Sequence, residues 1–339
     1  MKEVIALTDY KGYFESKYNA VPYNSGMDRK LLEKYFSASG ISLVFMNFAE
    51  VANHDFSFWK SKTVIYTSSE DTDYYYKSFI EDIIYYLELS GARVIPAHKY
   101  LRANNNKVFM ELLRKSFDNN AIKNMSAKVF GSLEEVEKTM SELSYPLVYK
   151  QAAGAMSEGV GLAKTENELK SGIKKIARTK NLFRELWERG RGFKYKGYIQ
   201  ESKFRNKFIL QSFVPGLNGD FKVLVFGSKY YVLKRDTKKD DFRASGSGIR
   251  NYVKEIPEGM LAYAKMCFET LAVPCASLDI AFDGKNFYLI EFQCLYFGSY
   301  TLTYSGFYWH CEGNNIFKLA NGKSVLEEEY VRSMIEFGI

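Results

Sequence analysis

Histidine is scarce in this chain. Of three in 339 residues, none of His54, His98 and His310 sits beside a serine or cysteine in a nucleophile motif, which argues against Ser-His or Cys-His chemistry. The four cysteines (Cys267, Cys275, Cys294, Cys311) fall late in the chain with no CxxC pair, so neither a disulfide framework nor a structural zinc site is expected. They read as buried, reduced thiols. No run approaches the ~18 apolar residues that a membrane span needs. The opening, with Lys2 and Glu3 before a short VIAL run, lacks the regions of a signal peptide, so a cytoplasmic protein is expected. There is no Walker loop, no dinucleotide fingerprint and no internal repeat. With 46% apolar residues and a mean hydropathy of -0.28, the chain is too apolar for disorder and long enough for two or three cores.

Charge is present but unevenly placed. Between Lys174 and Lys207 stand twelve Lys or Arg residues against three Glu, a local excess larger than the net +7 of the whole chain. Such a run suits phosphates or an anionic carrier, and it equally suits a solvated face. No nucleic-acid motif accompanies it, which disfavours that class of partner.

The first hundred residues alternate β-branched runs at Val4 to Thr8, Ile41 to Phe48, from Thr63, and Arg93 to Ala97 with helical spacing over 27–38 and 74–90. This alternation predicts a small parallel βαβ lobe. From Ala127 a second unit begins with AKVF, a helix over Leu133 to Leu143 opened by Ser132 with Glu135 three residues on, and PLVYKQ. Strands then dominate: Phe208 to Phe213, Asp220 to Gly227, Lys229 to Asp236, and SLDIAFDG and NFYLIEFQ joined by a tight turn at Asp283 to Asn286. The expected division is 1–103, 104–206 and 207–339, and the aromatic tail after Gly298 carries no clear assignment.

Three segments carry candidate chemistry. The late hairpin places Asp279 on one strand and Glu291 and Gln293 on its partner; residues two apart share a face, so three hard oxygen donors converge. That set suits Mg²⁺, although solvent-facing edge residues would look the same. In YPLVYKQAAGAMSEGVGLAKT, Lys150 ends an apolar strand and Gly154, Gly159 and Gly161 follow. An ammonium and close-approaching backbone N–H groups could cradle phosphates there, and a plain hairpin fits equally well. In KRDTKKDDFRASGSG, Arg235 ends a strand and Arg243 opens a polar loop; guanidinium groups neutralise phosphoryl charge and grip carboxylates, while a solvated loop is the alternative.

The order of these segments is more telling than any one. A Lys strand, a glycine loop, an apolar strand ending in QSFVPG, an Arg followed by FRASGSG, then LDIAF and IEFQ resembles the ATP-grasp superfamily over about residues 100–300. The resemblance implies an α/β and α+β molecule, with an N-terminal parallel βαβ lobe and two α+β lobes enclosing ATP. It implies that Gln211, Ser212, Phe213 and Val214 contact the purine, and that Lys107 and Lys150 are the ATP lysines. Gly159 then lies in the flap over the phosphates and Asp220 near the ribose, with Lys222 where an Arg is common. Asp279, Glu291 and Gln293 would hold Mg²⁺ or Mn²⁺, with Gln293 replacing the family's Asn. CLYFGS departs from the usual proline-glycine turn of the acceptor pocket.

The chemistry implied by that resemblance is joining a carboxylate to an amine through an acyl phosphate, with Arg235 and Arg243 stabilising charge. The expected partners are therefore a small-molecule carboxylate and an amine, such as an amino acid, a peptide or a sugar-linked compound. The alternatives are a kinase acting on a hydroxyl, and an ATP-binding module without turnover.

Overall fold

In the computed structural model, residues 2–16, 25–154, 159–238 and 241–339 are described. Strands β1 (Lys2–Thr8), β2 (Ile41–Asn47), β3 (Thr63–Tyr66) and β4 (Arg93–Ile95) pair in parallel in the order β2-β1-β3-β4. Helix α1 (Arg29–Ala38) starts where the Asp28 carboxylate accepts the N–H groups of Lys30 and Leu31, and it stops at Gly40, whose φ of +75° suits glycine. Helices α2 (Tyr75–Leu89) and α3 (His98–Ala103) complete the parallel lobe read from the sequence.

A second unit runs from Asn105 to Gly216. Helix α4 (Lys107–Ser116) leads into β5 (Ala127–Phe130), short α5 (Leu133–Glu137), the hairpin β6 (Leu147–Gln151) and β7 (Val160–Ala163), helices α6 (Glu166–Ile176) and α7 (Leu182–Lys194), and β8 (Phe208–Ser212). The antiparallel sheet order is β5-β8-β6-β7. Ser132 and Glu135 form the reciprocal cap that their spacing suggests. The helix ends at Glu137, sooner than expected, and the chain up to Leu143 continues as 3₁₀ turns. One sheet face packs on α5 and α6 through Phe208, Leu210, Leu133, Val136, Leu169 and Ile173.

The remainder returns to the first unit. Strands β9 (Gly219–Phe226), β10 (Lys229–Asp236), β11 (Arg250–Asn251), β12 (Cys275–Phe282), β13 (Phe287–Gln293), β14 (Phe307–Cys311) and β15 (Phe317–Asn321) form one sheet, ordered β13-β12-β9-β10-β14-β15 with β11 on β10. Helices α8 (Met260–Leu271), α9 (Tyr300–Tyr304) and α10 (Leu326–Glu336) accompany it.

The chain thus divides into two compact units, residues 1–104 with 217–339 and residues 105–216, which differs from the three-part division expected from sequence. The reason is physical. β8 is hydrogen-bonded along its length to β5 and β6, so the expected boundary at 206/207 cuts inside a sheet. The parallel lobe shares one core with the late sheet and α10, in which Phe14, Leu32 and Phe36 pack with Phe226, Tyr330 and Met334.

Candidate functional site

In the first unit, a charged face is built from strand alternation. Asp220 and Lys222 of β9 share a side, Arg235 of β10 is the register partner of Asp220, and Asp279 of β12 is the partner of Lys222. Glu291 on β13 is the partner of Asp279, and Gln293 that of Ser277. The hairpin arms are unequal, four residues before Asp283 and five after Asn286. The register shift beside Asp279 and Ile280 absorbs the extra residue and leaves the two carboxylates opposed. The turn itself is held by Asp283, whose carboxyl is lowered to about 2 by accepting the Asn286 and Lys285 backbone N–H groups.

Arg235 ties this face together. Its Nε and Nη2 donate to Asp220 Oδ1 and Oδ2 at 2.6 and 2.8 Å, and Nη2 also reaches Asp279 Oδ2 at 2.8 Å. Lys222 Nζ lies 3.7 Å from Asp279 Oδ1. Asp220, Lys222 and Arg235 are all buried. Burial alone would lower the Arg235 pKa, but Asp279 and Asp220 together hold it well above its usual range. Burial likewise lowers the Lys222 ammonium, and Asp279 offsets only part of that. Three carboxylates thus meet two cations on one sheet face. Arg243 stands in the loop after β10, where its Nη2 pairs with Asp241 at 2.8 Å.

The second unit has its own polar face, on the side of its sheet away from α5 and α6. Lys150 on β6 pairs with Ile209 and Val148 with Gln211, so Lys150 and Gln211 lie on the same side by alternation. Gln211 is buried and its Nε2 has no hydrogen-bond partner among the described residues. Ser212 ends β8 with its N–H donating to the Ser126 carbonyl at 3.0 Å, and Phe213 and Val214 follow, half-buried. Lys107 opens α4, buried, with its Nζ donating to the Gly154 carbonyl at 3.0 Å. Its backbone N–H donates to the Ala152 carbonyl at 2.8 Å, and Asn105 Oδ1 accepts the Gly154 N–H at 2.9 Å. At the other end of the glycine loop, Gly159 takes φ +66° and its carbonyl accepts the Gln151 N–H at 2.9 Å. Residues 155–158, the AMSE part of the loop read as a phosphate flap, lie outside the described residues.

No protein-family model and no curated protein matches the sequence. Among solved structures, the D-cycloserine synthetase DcsG superposes with a TM-score of 0.54 at 12% identity, covering 98% of this chain and 99% of that one. The ADP complex of purK, an N5-carboxyaminoimidazole ribonucleotide synthetase, superposes with a TM-score of 0.51 at 13% identity, covering 92% and 74%. The chain has the ATP-grasp fold.

The nucleotide and divalent ion expected from the sequence resemblance can be tested against the residues present, which fit both in kind. Asp279, Glu291 and Gln293 are hard oxygen donors on one side of a hairpin, the number Mg²⁺ uses when phosphates and water complete its shell. Among the described residues, no group of three or more His, Cys, Asp and Glu side chains is arranged to hold a metal. The partnerless buried amide of Gln211 and the ammonium of Lys150 offer a donor for a base and a cation for phosphate. Sequence reasoning missed Asn105 and Ser277. Asn105 anchors the loop from outside it, and Ser277, next to Lys222 on the charged face, reveals itself only through strand register.

Proposed function

We propose that this protein is an ATP-dependent carboxylate-amine ligase. The observation that carries the reading is the Asp220–Arg235–Asp279 cluster with Lys222, Glu291 and Gln293, a charged sheet face in an ATP-grasp fold. In this proposal the substrate carboxylate attacks the γ-phosphorus of ATP, the bond to the β-phosphate oxygen breaks, and ADP leaves. The amine then attacks the acyl carbon, inorganic phosphate leaves, and the ammonium proton passes to solvent.

The residue roles follow those that the sequence resemblance implies. Lys150, Lys107 and the backbone at Gly154 and Gly159 bind phosphate oxygens, and Gln211 to Val214 orient the purine. Asp279, Glu291 and Gln293 would hold Mg²⁺ or Mn²⁺, which supplies charge neutralisation on the phosphates. Arg235 positions Asp279 and Asp220, and Arg243 is assigned to the transferring group or the substrate carboxylate.

The test is ADP release from ATP and Mg²⁺ across a panel of amino acids and amino sugars. Release that needs both a carboxylate and an amine is expected, and Glu291→Ala should lower kcat by ~100-fold or more. Full turnover by that variant would overturn the metal assignment. ADP release with a hydroxyl acceptor alone would make the protein a kinase.

A further inference from the structure

The charged face does not end at Ser277. Two residues further along the same side of the sheet, ~7 Å at strand rise, Cys275 of β12 pairs with Phe226 of β9. Both line a cavity of about 40 Å³ inside the first unit. Its remaining walls come from the segment after β13, from α10, and from Glu15, Ser16 and Tyr66 of the parallel lobe. The cavity is therefore the continuation of the Gln293 strand and its neighbours.

Its lining is mostly apolar, with a small set of polar groups that the fold leaves unsatisfied. Tyr66 is 1% exposed and its hydroxyl has no hydrogen-bond partner among the described residues, and the Ser16 hydroxyl is likewise buried without one among them. A buried hydroxyl without a partner has lost its hydrogen bonds to water with nothing in return, which destabilises the fold. Two such groups lining one cavity suggest a ligand that satisfies them. Asp9 and Glu15 are both buried carboxyl side chains, and among the described residues the cation seen with them is Lys11, 2.7 Å from Glu15 Oε1 and 3.1 Å from Asp9 Oδ2. Burial first, and then Asp9, pushes the Glu15 carboxyl up to about 7. A second cation would let it ionise.

We propose that this cavity receives a compact aliphatic molecule bearing a primary ammonium group, with the ammonium toward Glu15 and the carbon atoms against Phe226, Phe297 and Tyr330. Taking ~10–15 Å³ per water on the same measure, the space admits a group of a few non-hydrogen atoms. Its role as the site of the amine substrate rests on the ligase reading; the binding itself does not.

The experiment uses the full chain without nucleotide, so that its outcome is independent of turnover. Thermal melting and calorimetry are run with n-propylamine, and with 1-propanol and propionate as neutral and anionic matches. n-Propylamine should raise Tm while the other two do not. In Glu15→Gln its affinity should fall ~10-fold or more, the loss of a charge-assisted hydrogen bond. Tyr66→Phe should fold at least as stably as the native protein, because an unsatisfied hydroxyl is removed, yet bind the amine several-fold more weakly. That second variant keeps the proposal open to test if Glu15→Gln fails to fold. Equal responses to the three probes, no response to any, or full amine affinity in Tyr66→Phe would show a packing void and overturn the assignment. If the amine binds as stated and ADP release fails, the ligase reading falls and the site stands.

Discussion

Arg235 shows how much a single side chain organises. Its guanidinium is buried and makes three contacts of 2.6–2.8 Å to two carboxylates. Removing it leaves Asp220 and Asp279 with uncompensated charge, so Arg235→Ala should lose ~3–5 kcal/mol in urea unfolding. Arg235→Lys should recover only part, since one ammonium cannot reproduce the fork. Glu15 acts in the opposite sense. Its folded pKa of about 7 exceeds its ordinary 4.5, so the unfolded chain loses that proton first and stability falls as pH rises through this window. Lys11, Asp9 and Tyr76 share that environment. Tm measured between pH 4.5 and 8 should therefore carry a falling component up to about 7, absent in Glu15→Gln. At this scale the sequence was partly legible. Asp279, Glu291 and Gln293 could be placed by counting from a recognisable turn. Glu15 and Tyr66 could not, because what sets them apart is burial, a property of packing between segments more than two hundred residues apart.

At the scale of elements, the glycines of the second unit separate local propensity from packing. A Cβ at Gly172 in α6 would come within 2.3 Å of the Tyr149 ring on β6, and one at Gly161 on β7 within 2.2 Å of the same ring. Gly190 in α7 has nothing within 4 Å. Helix propensity alone favours Ala over Gly by ~1 kcal/mol in both helices. Gly190→Ala should therefore raise the stability of the unit by ~0.5–1 kcal/mol, whereas Gly172→Ala should cost ~1–3 kcal/mol from overpacking. Tyr149→Leu in the Gly172→Ala background should restore most of the loss, read by chemical denaturation. Elements with local signals were legible in advance, as the Ser132–Glu135 cap and the β-branched runs of the parallel lobe show. α8 was not, because it opens on Gly259 with φ +82° and no capping side chain. β14 was not, because it is an aromatic run whose pairing with β10 lies some eighty residues back in the chain.

For the whole molecule, the decisive feature is that residues 105–216 are a continuous insertion between two parts of the other unit. The insertion closes its own four-stranded sheet and its own core around Phe208, Leu210, Leu169 and Ile173. By contrast, the parallel lobe of residues 1–104 completes its core only with Leu224, Phe226, Tyr330 and Met334, which come from beyond residue 216. A segment with a complete core meets the requirement for folding alone, and one lacking half of its apolar partners does not. A fragment of residues 105–216 should accordingly show a cooperative thermal transition by circular dichroism. A fragment of residues 1–104 should show none, and should gain one when residues 217–339 are joined to it through a short linker in place of the insertion. A cooperative melt of residues 1–104 alone would mean that the shared core contributes little. Core sharing between the ends of a chain leaves no trace in local composition, which is why a division drawn from sequence at 103/104 and 206/207 does not show it.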